Sequence, residues 1–224
     1  MIFTKKSCLI YITLTITLIV VSYNYIDKSV AQFFIAHKAT YEPIGDAISI
    51  FGESHWYLGV GILGMIYYTK RKPNPLYRAR FAFLLYSSIF SGLLSILLKW
   101  TFGRVRPWGL RNDGDYYGFT LFRDFDMGFF DSIKEHFATI INSPTTHTSF
   151  PSGHTTTLFS AFTVLSILFP RYLWLWLTLA IFAASSRVLA NDHFISDLLA
   201  GSIVGICATL FVYSKMRKRL EKDS

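Results

Sequence analysis

The chain is poor in charged residues and in cysteine. Only 16% of its 224 residues are charged, against about 25% in a typical soluble domain. Its two cysteines, Cys8 and Cys207, lie in or beside apolar runs and offer neither a disulfide framework nor a metal-ligand spacing. In contrast, 52% of the residues are hydrophobic and 17% are aromatic. This composition favours a protein embedded in a membrane.

Six apolar stretches are close in length to the about 20 residues that a helix needs to cross a bilayer. They predict an all-α, polytopic membrane protein with six transmembrane helices, folded as a single domain over residues 1–224. The second and fourth stretches are the weakest, because they are short or interrupted by polar residues. The first has no clear cleavage site, so we expect it to be retained rather than removed as a signal peptide. The predicted spans are residues 8–26, 52–69, 80–99, 153–170, 171–189 and 194–214.

The distribution of Lys and Arg predicts the orientation of these spans. With the N-terminus inside, the inner segments hold 13 of the 22 basic residues but only two of the 14 acidic ones, Glu221 and Asp223. Cytoplasmic segments are enriched in Lys and Arg, so we expect both termini to be cytoplasmic and residues from about 100 to 152 to form an outer loop. The net charge of +8 therefore reflects topology, and no nucleic-acid partner is expected.

Three polar clusters lie at span boundaries. The first is K-W-T-F-G-R-V-R-P over 99–107, and the second is P-S-G-H over 151–154. In the third, Ser186 and Arg187 are followed after five residues by His193 and after three more by Asp197. All three clusters face the outer side under the predicted topology. Ionisable groups at the membrane edge favour a functional site.

The basic members of these clusters predict an anion site. Lys99, Arg106 and Arg187 would bring three positive charges together, and a guanidinium fork suits phosphate oxygens. Ser152 and Gly153 precede the apolar run of the fourth span, where the free N–H groups of a helix N-terminus also attract an anion. These residue types therefore predict that phosphate is bound.

The aspartate and the two histidines of these clusters predict covalent catalysis. His193 and Asp197 are four residues apart and share one face. A carboxylate there can hold one ring nitrogen and leave the other as a nucleophile. His154, beside the anion site, can protonate a leaving alkoxide as a general acid.

The three clusters, K-x6-RP, PSGH and SR-x5-H-x3-D, together resemble the signature of the type 2 phosphatidic acid phosphatase superfamily, with intact spacing over residues 99–197. The resemblance implies a six-span enzyme that removes phosphate from lipid phosphates or pyrophosphates without a metal or other cofactor. It implies that His193 forms a phosphohistidine, that Asp197 orients it and that His154 protonates the leaving group. It also implies a set of residues that hold the phosphoryl oxygens, namely Lys99, Arg106, Ser152, Gly153 and Arg187.

The expected partners are the bilayer and a phosphorylated membrane lipid. The expected location is a bacterial inner membrane, which the chain crosses several times, with the active site on the periplasmic face. By resemblance, a lipid A-type glycolipid is the leading substrate, and undecaprenyl pyrophosphate is the close alternative. Phosphatidylglycerophosphate or phosphatidate stays open, as does a lipid-to-lipid phosphotransferase, which uses the same intermediate. The vanadate-dependent haloperoxidases have a similar site but are soluble, and a channel or transporter would not need a paired acid and nucleophile.

Several other polar and aromatic residues leave alternatives open. Arg104 could contact a second substrate phosphate or have no role, and Asp192 is expected to point away from the face of His193. In the outer loop, 108–147, Phe129 and Phe130 could belong to a lid that sorts lipid head groups or to a short helix packed on the span ends. The remaining histidines are expected to be solvated or interfacial: His37, His55, His136 and His147.

Overall fold

The computed structural model describes residues 4–110, 116–123 and 128–221. Lys222 and Asp223 of the charge count, and Asp124, Phe125 and Asp126 of the outer loop, lie outside these residues. The described part is all-helical, with one isolated bridge between Arg104 and Phe119. Its α-helices are α1 Lys5–Val21, α2 Asp27–Ala36, α3 Lys38–Ser49, α4 Ser54–Lys70, α5 Pro75–Phe102, α6 Phe129–Asn142, α7 Gly153–Leu168, α8 Leu173–Leu189 and α9 Ile195–Leu220.

Helices occupy all six predicted spans. Within the described residues, four stretches are long and apolar enough to cross a membrane: Lys5–Ala36, Pro75–Phe102, Pro170–Leu189 and Ile195–Leu220. The first is longer than predicted because a π-helical segment, Ser22–Ile26, joins α1 to α2. α7 is apolar but has only 16 residues, and α4 has 17. The chain is thus a multi-pass helical membrane protein, while the count of six spans and the position of the termini stay predictions.

Close packing between α7 and α9 places the ends of these helices side by side. Gly205 on α9 lies so near α7 that an added Cβ would come within 2.5 Å of the Thr156 carbonyl oxygen. Further along, the hydroxyls of Ser160 and Thr209 share a hydrogen bond of 2.9 Å. Small residues of this kind let membrane helices approach closely. As a result, the start of α7, which carries PSGH, adjoins the start of α9, which carries Asp197.

The end of α5 is set by Gly103, which has the left-handed φ of 60° that often terminates a helix. A Cβ at this position would lie 2.0 Å from the Thr120 hydroxyl, so only glycine fits. The chain therefore turns four residues after Lys99 and leads into the segment that carries Arg104 and Arg106.

His136 contradicts one expectation. It is 2% exposed, with Nδ1 2.8 Å from the Thr120 hydroxyl and Nε2 3.0 Å from the Trp100 carbonyl oxygen. The prediction of a solvated or interfacial His136 was wrong, because α6 folds back onto the end of α5 and buries this ring. The first residues of α6 stay outside this contact, since Phe129 and Phe130 are 74% and 83% exposed.

Candidate active site

His193 lies in the turn between α8 and α9 and is 3% exposed. Its Nδ1 is 3.4 Å from Oδ2 of Asp197, which is completely buried in the first turn of α9. The same carboxylate oxygen accepts the Phe194 N–H at 3.0 Å and the Ser149 hydroxyl at 2.5 Å. Nδ1 also lies 3.4 Å from the Ser149 hydroxyl, which links the ring to Asp197. That Asp197 orients the imidazole stays a prediction.

The environment of His193 favours its neutral form. Burial lowers the pKa of His193 well below its ordinary value, more than the neighbouring Asp197 carboxylate raises it. The positive charges of Lys99 and Arg106 lower this pKa further. Nε2 makes no hydrogen bond to any described residue, so a neutral ring held through Nδ1 leaves the lone pair of Nε2 available for attack.

Lys99 and Arg106 act electrostatically on this ring, and Asp192 links Arg106 to Arg187. These three basic residues are here called the cation clamp. The Lys99 ammonium donates to the Thr148 carbonyl oxygen, and a Cβ at Gly153 would lie 3.6 Å from Lys99 Cε. The Nε atoms of both arginines are buried and lack a partner among the described residues. Buried unpaired donors are costly, and phosphate oxygens would satisfy them.

Asp192 joins the two arginines of the cation clamp. Its Oδ1 lies 3.3 Å from Arg106 Nη1, and its Oδ2 accepts from Arg187 Nη2. The expectation for Asp192 was made with reference to a helix face, but residues 190–194 form a turn, and the carboxylate contacts the two arginines. This carboxylate makes the contacts that phosphate oxygens would make, so a substrate phosphate must compete with it.

Ser152 and Gly153 occupy the start of α7, where the sequence placed them. The completely buried Ser152 hydroxyl accepts from the Thr155 N–H at 3.4 Å and from the Thr155 hydroxyl at 3.0 Å. Its N–H donates to the Asp197 carbonyl oxygen at 3.1 Å. Ser152 therefore caps α7 and ties it to α9, and its contact with phosphate stays a prediction.

His154, in the first turn of α7, has Nε2 3.1 Å from Oε1 of Glu53. The short turn Ile50–Gly52 lies against the ring, because a Cβ at Gly52 would be 2.8 Å from His154 Cδ2. Glu53, at 43% side-chain exposure, can hold this ring and exchange a proton with it. This pairing supplies a second acid–base group, in the first turn of α7.

Arg104 is completely buried, and its guanidinium group faces carboxylates. Its Nη1 donates to Asp197 Oδ1 at 2.5 Å, and its Nη2 donates to Asp27 Oδ2 at 2.8 Å. The charge is surrounded by aromatic rings at 4.2–5.4 Å from the guanidinium carbon. Arg104 thus bridges two carboxylates instead of facing a phosphate. The rings belong to Tyr23, Tyr117, Phe119 and Phe194.

Asp27 is the last member of a chain of buried charges that runs from Asp197 through Arg104. Its carboxylate accepts from the Ser22 hydroxyl at 2.6 Å and from the Ser196 N–H at 3.2 Å. Sequence reasoning missed Asp27, Glu53 and Ser149, because none stands at a motif spacing. The one available signal was Asp27 itself, an acid inside the apolar run Lys5–Ala36, where a charge favours function.

No group of three or more His, Cys, Asp or Glu residues within the described ranges is arranged to hold a metal ion. The acids and histidines of the site are instead paired with cations or with each other. Metal-free chemistry stays a prediction.

Comparisons with known proteins support a lipid phosphatase family. A sequence model of the PAP2 superfamily matches residues 80–221. The chain is 32% identical over 177 residues to a lipid A 1-phosphatase of Rhizobium etli, covering 75% of this chain and 68% of that protein. A lipid A 1-phosphatase of Rhizobium johnstonii is also 32% identical, and the match spans 75% of this chain and 64% of that protein.

The fold has a counterpart among solved structures. A transmembrane PAP2-type phosphatidylglycerolphosphate phosphatase from Bacillus subtilis superposes with a TM-score of 0.56. The superposition covers 92% of this chain and 96% of that one at 17% identity. This likeness shows a shared fold for nearly the whole chain.

Proposed function

The chain belongs to the PAP2 superfamily, and on that premise we propose that it is a membrane lipid phosphatase working through a phosphohistidine at His193. The observation that carries the proposal is that the buried His193 imidazole, its Asp197 neighbour and the cation clamp lie at one end of the bundle. Such a set can bind a phosphoryl group and attack it at the same point.

Two displacements at phosphorus complete the proposed reaction. The cation clamp and the start of α7 hold the phosphoryl oxygens while His193 Nε2 attacks. As the P–N bond forms, the P–O bond to the lipid breaks, and His154 donates a proton to the departing oxygen. Water then attacks the phosphohistidine, His154 takes the proton from water, and the P–N bond breaks to release phosphate.

A lipid A-type glycolipid phosphate is the proposed substrate, supported by the names of the two Rhizobium relatives. Undecaprenyl pyrophosphate, phosphatidylglycerophosphate and phosphatidate remain alternatives. A lipid acceptor in place of water would make the enzyme a phosphotransferase through the same intermediate.

The site is proposed to face the periplasm from the inner membrane of a bacterium, with both termini in the cytoplasm. α9 supports this orientation. It starts beside His193 and ends at the basic run Arg217–Arg219, and its 26 residues span about 39 Å. The candidate site and the basic cluster therefore lie at opposite membrane faces, and the basic one is expected inside.

Phosphate release by the purified protein in detergent, with EDTA present, tests the function. The panel contains a lipid A 1-phosphate, undecaprenyl pyrophosphate, phosphatidylglycerophosphate and phosphatidate. Turnover of one or more of these lipids in EDTA is expected. Loss of all turnover on chelation would contradict the metal-free mechanism, and no release from any lipid, with or without metal, would contradict the phosphatase assignment.

Asp27 is a proposed positioning residue, and Asp27→Asn is expected to lower kcat about 10-fold, roughly 1.4 kcal/mol of transition-state stabilisation. Asn keeps the shape of the side chain but removes a negative charge that faces Arg104. The Arg104 guanidinium group then attracts the Asp197 carboxylate more strongly. His193 is also faced by Asp197, Lys99 and Arg106. Removing the Asp27 charge lowers the pKa of His193 further, which moves the acid limb of the kcat/KM profile to lower pH.

The exposed Asp46 on α3 provides the matched control, since Asp46→Asn makes the same change away from these charges. A purely structural role for Asp27 would reduce the amount of folded protein and leave the pH profile of the remainder unchanged. An unshifted acid limb in Asp27→Asn therefore contradicts the positioning role.

The exposed start of α6 is proposed to sort lipids. Replacing Phe129 and Phe130 by Ser is expected to change the ratio of kcat/KM between glycolipid and isoprenoid substrates about threefold or more, because two exposed rings can contact lipid at the interface. The measurement is the substrate panel in mixed micelles, with Phe169→Ser as a control at another exposed phenylalanine. Unchanged turnover of every lipid would indicate that α6 only packs on the ends of the spans and does not select the lipid.

A further inference from the structure

A cavity of about 260 Å³ lies beside the candidate site. It is bounded by the start of α3, by the turn Pro107–Gly109 that follows Arg106, and by the turn that leads from α8 to His193. We call it the side cavity, and its lining residues are Lys38, Glu42, Trp108, Ala190, Asn191 and Asp192.

Asp192 connects the side cavity to the cation clamp. The residue lines the cavity, while its carboxylate contacts both Arg106 and Arg187. A phosphate bound by these two arginines would therefore have its esterified group close to the cavity. The same phosphate would compete for the two guanidinium groups and free the Asp192 carboxylate to accept a hydrogen bond from that group.

Asn191 is the second observation that points to a ligand. The residue is 5% exposed, lines the side cavity, and its side-chain amide has no hydrogen-bond partner in the part of the chain that the structure describes. An amide that lines a cavity and has no protein partner can both donate to a ligand and accept from it. Its backbone has a left-handed φ of 55°, which Asn tolerates better than most residues.

The remaining lining residues combine a flat apolar surface with hydrogen-bonding groups. The Trp108 indole offers a large apolar face and one N–H donor. Glu42 lies 3.3 Å from Lys38 and, like Asp192, can accept hydrogen bonds from hydroxyl groups. This set matches a ring that has C–H groups on one face and hydroxyl or amide groups at its edge.

We propose that the side cavity binds a pyranose sugar whose phosphate is held by the cation clamp, so that the substrate class is a glycolipid phosphate. The inference rests on the proposed function and narrows its substrate. An isoprenoid pyrophosphate has no polar group beyond its phosphates, and a glycerol head group has hydroxyls without a flat face. Neither would use both Trp108 and Asn191.

Asn191→Gly and Trp108→Ala test the side cavity. Glycine adopts the positive φ of Asn191 without strain, so this variant removes the amide and keeps the turn. Each variant is expected to lower kcat/KM on an acylated glucosamine disaccharide 1-phosphate about 10-fold. This is the effect expected when one buried hydrogen bond or contact with the substrate is lost. Turnover of undecaprenyl pyrophosphate should change less than about twofold, as should both activities in the control Trp174→Ala.

Inhibition by water-soluble head groups isolates the sugar from the lipid tail. Glucosamine 1-phosphate is expected to inhibit the unchanged protein about 10-fold more strongly than inorganic phosphate, and this advantage should vanish in Asn191→Gly. Equal losses on all lipids would show that these residues only shape the turn of His193, and an unchanged glycolipid rate would show that no sugar is bound. Either outcome contradicts the proposal that the side cavity binds a sugar and leaves the proposed phosphatase activity standing. If the unchanged protein hydrolyses no lipid, the proposed function itself is contradicted.

Discussion

His193→Gln is expected to lower kcat by at least about 10⁴-fold on every lipid substrate. The change removes the only proposed nucleophile, and a glutamine amide cannot form the P–N bond. The cation clamp would still bind the phosphate, so KM is expected to change much less than kcat. Steady-state phosphate release, measured at enzyme concentrations high enough to detect the residual rate, gives both parameters.

His37→Gln is the matched control, because His37 is an exposed histidine at the junction of α2 and α3 and lies outside the proposed site. It should keep turnover within about twofold. A near-normal rate in His193→Gln would contradict the assignment of the nucleophile, and so would equal losses in the two variants.

His154→Gln is expected to act selectively, lowering kcat/KM about 10²- to 10³-fold on lipid monophosphates. An alkoxide is a poor leaving group and needs a proton as the P–O bond breaks. A pyrophosphate substrate, or an aryl phosphate with an acidic phenol, leaves without that help and should lose less than about 10-fold. The plot of log kcat/KM against the pKa of the leaving group should therefore become steeper in the variant.

The exposed His37 again provides the comparison, because His37→Gln removes an imidazole away from Glu53 and His154. An equal fall of His154→Gln across all leaving groups would indicate that His154 positions the phosphate instead of protonating the lipid oxygen.

The motif residues could be found from the sequence because each cluster is local. Arg187, His193 and Asp197 lie within 11 positions, and apolar runs on either side place them at a helix boundary. The helical class follows from the same runs. The topology also places the three clusters on one side, and the structure brings Lys99, Ser152 and Asp197 together there.

The buried partners of these residues could not be found in this way. Arg104 contacts Asp27 and Asp197 across 77 and 93 positions of sequence, and no spacing rule covers such distances. The predicted first span ended at residue 26, so Asp27 was counted as an outer residue. The π-helical Ser22–Ile26 instead continues the helix and turns Asp27 inward, where a lone charge is tolerated only when it is paired.

Asp192 and His136 show a second limit. Both were judged by local position, one as part of a helix and the other as part of a loop. Their partners come from other segments, namely Arg106 for Asp192 and Thr120 for His136. Tertiary contacts decide whether a polar side chain is solvated or buried, and a single sequence does not contain them.

Trapping the covalent intermediate tests the central claim most directly. The protein is mixed with a ³²P-labelled lipid phosphate, quenched in alkali within one turnover, and digested for mass spectrometry. We expect a stoichiometric, acid-labile and alkali-stable phosphoryl group on the peptide that contains His193, and none in His193→Gln. A protein that turns over the lipid without any labelled residue, or with the label on a different side chain, would contradict the account.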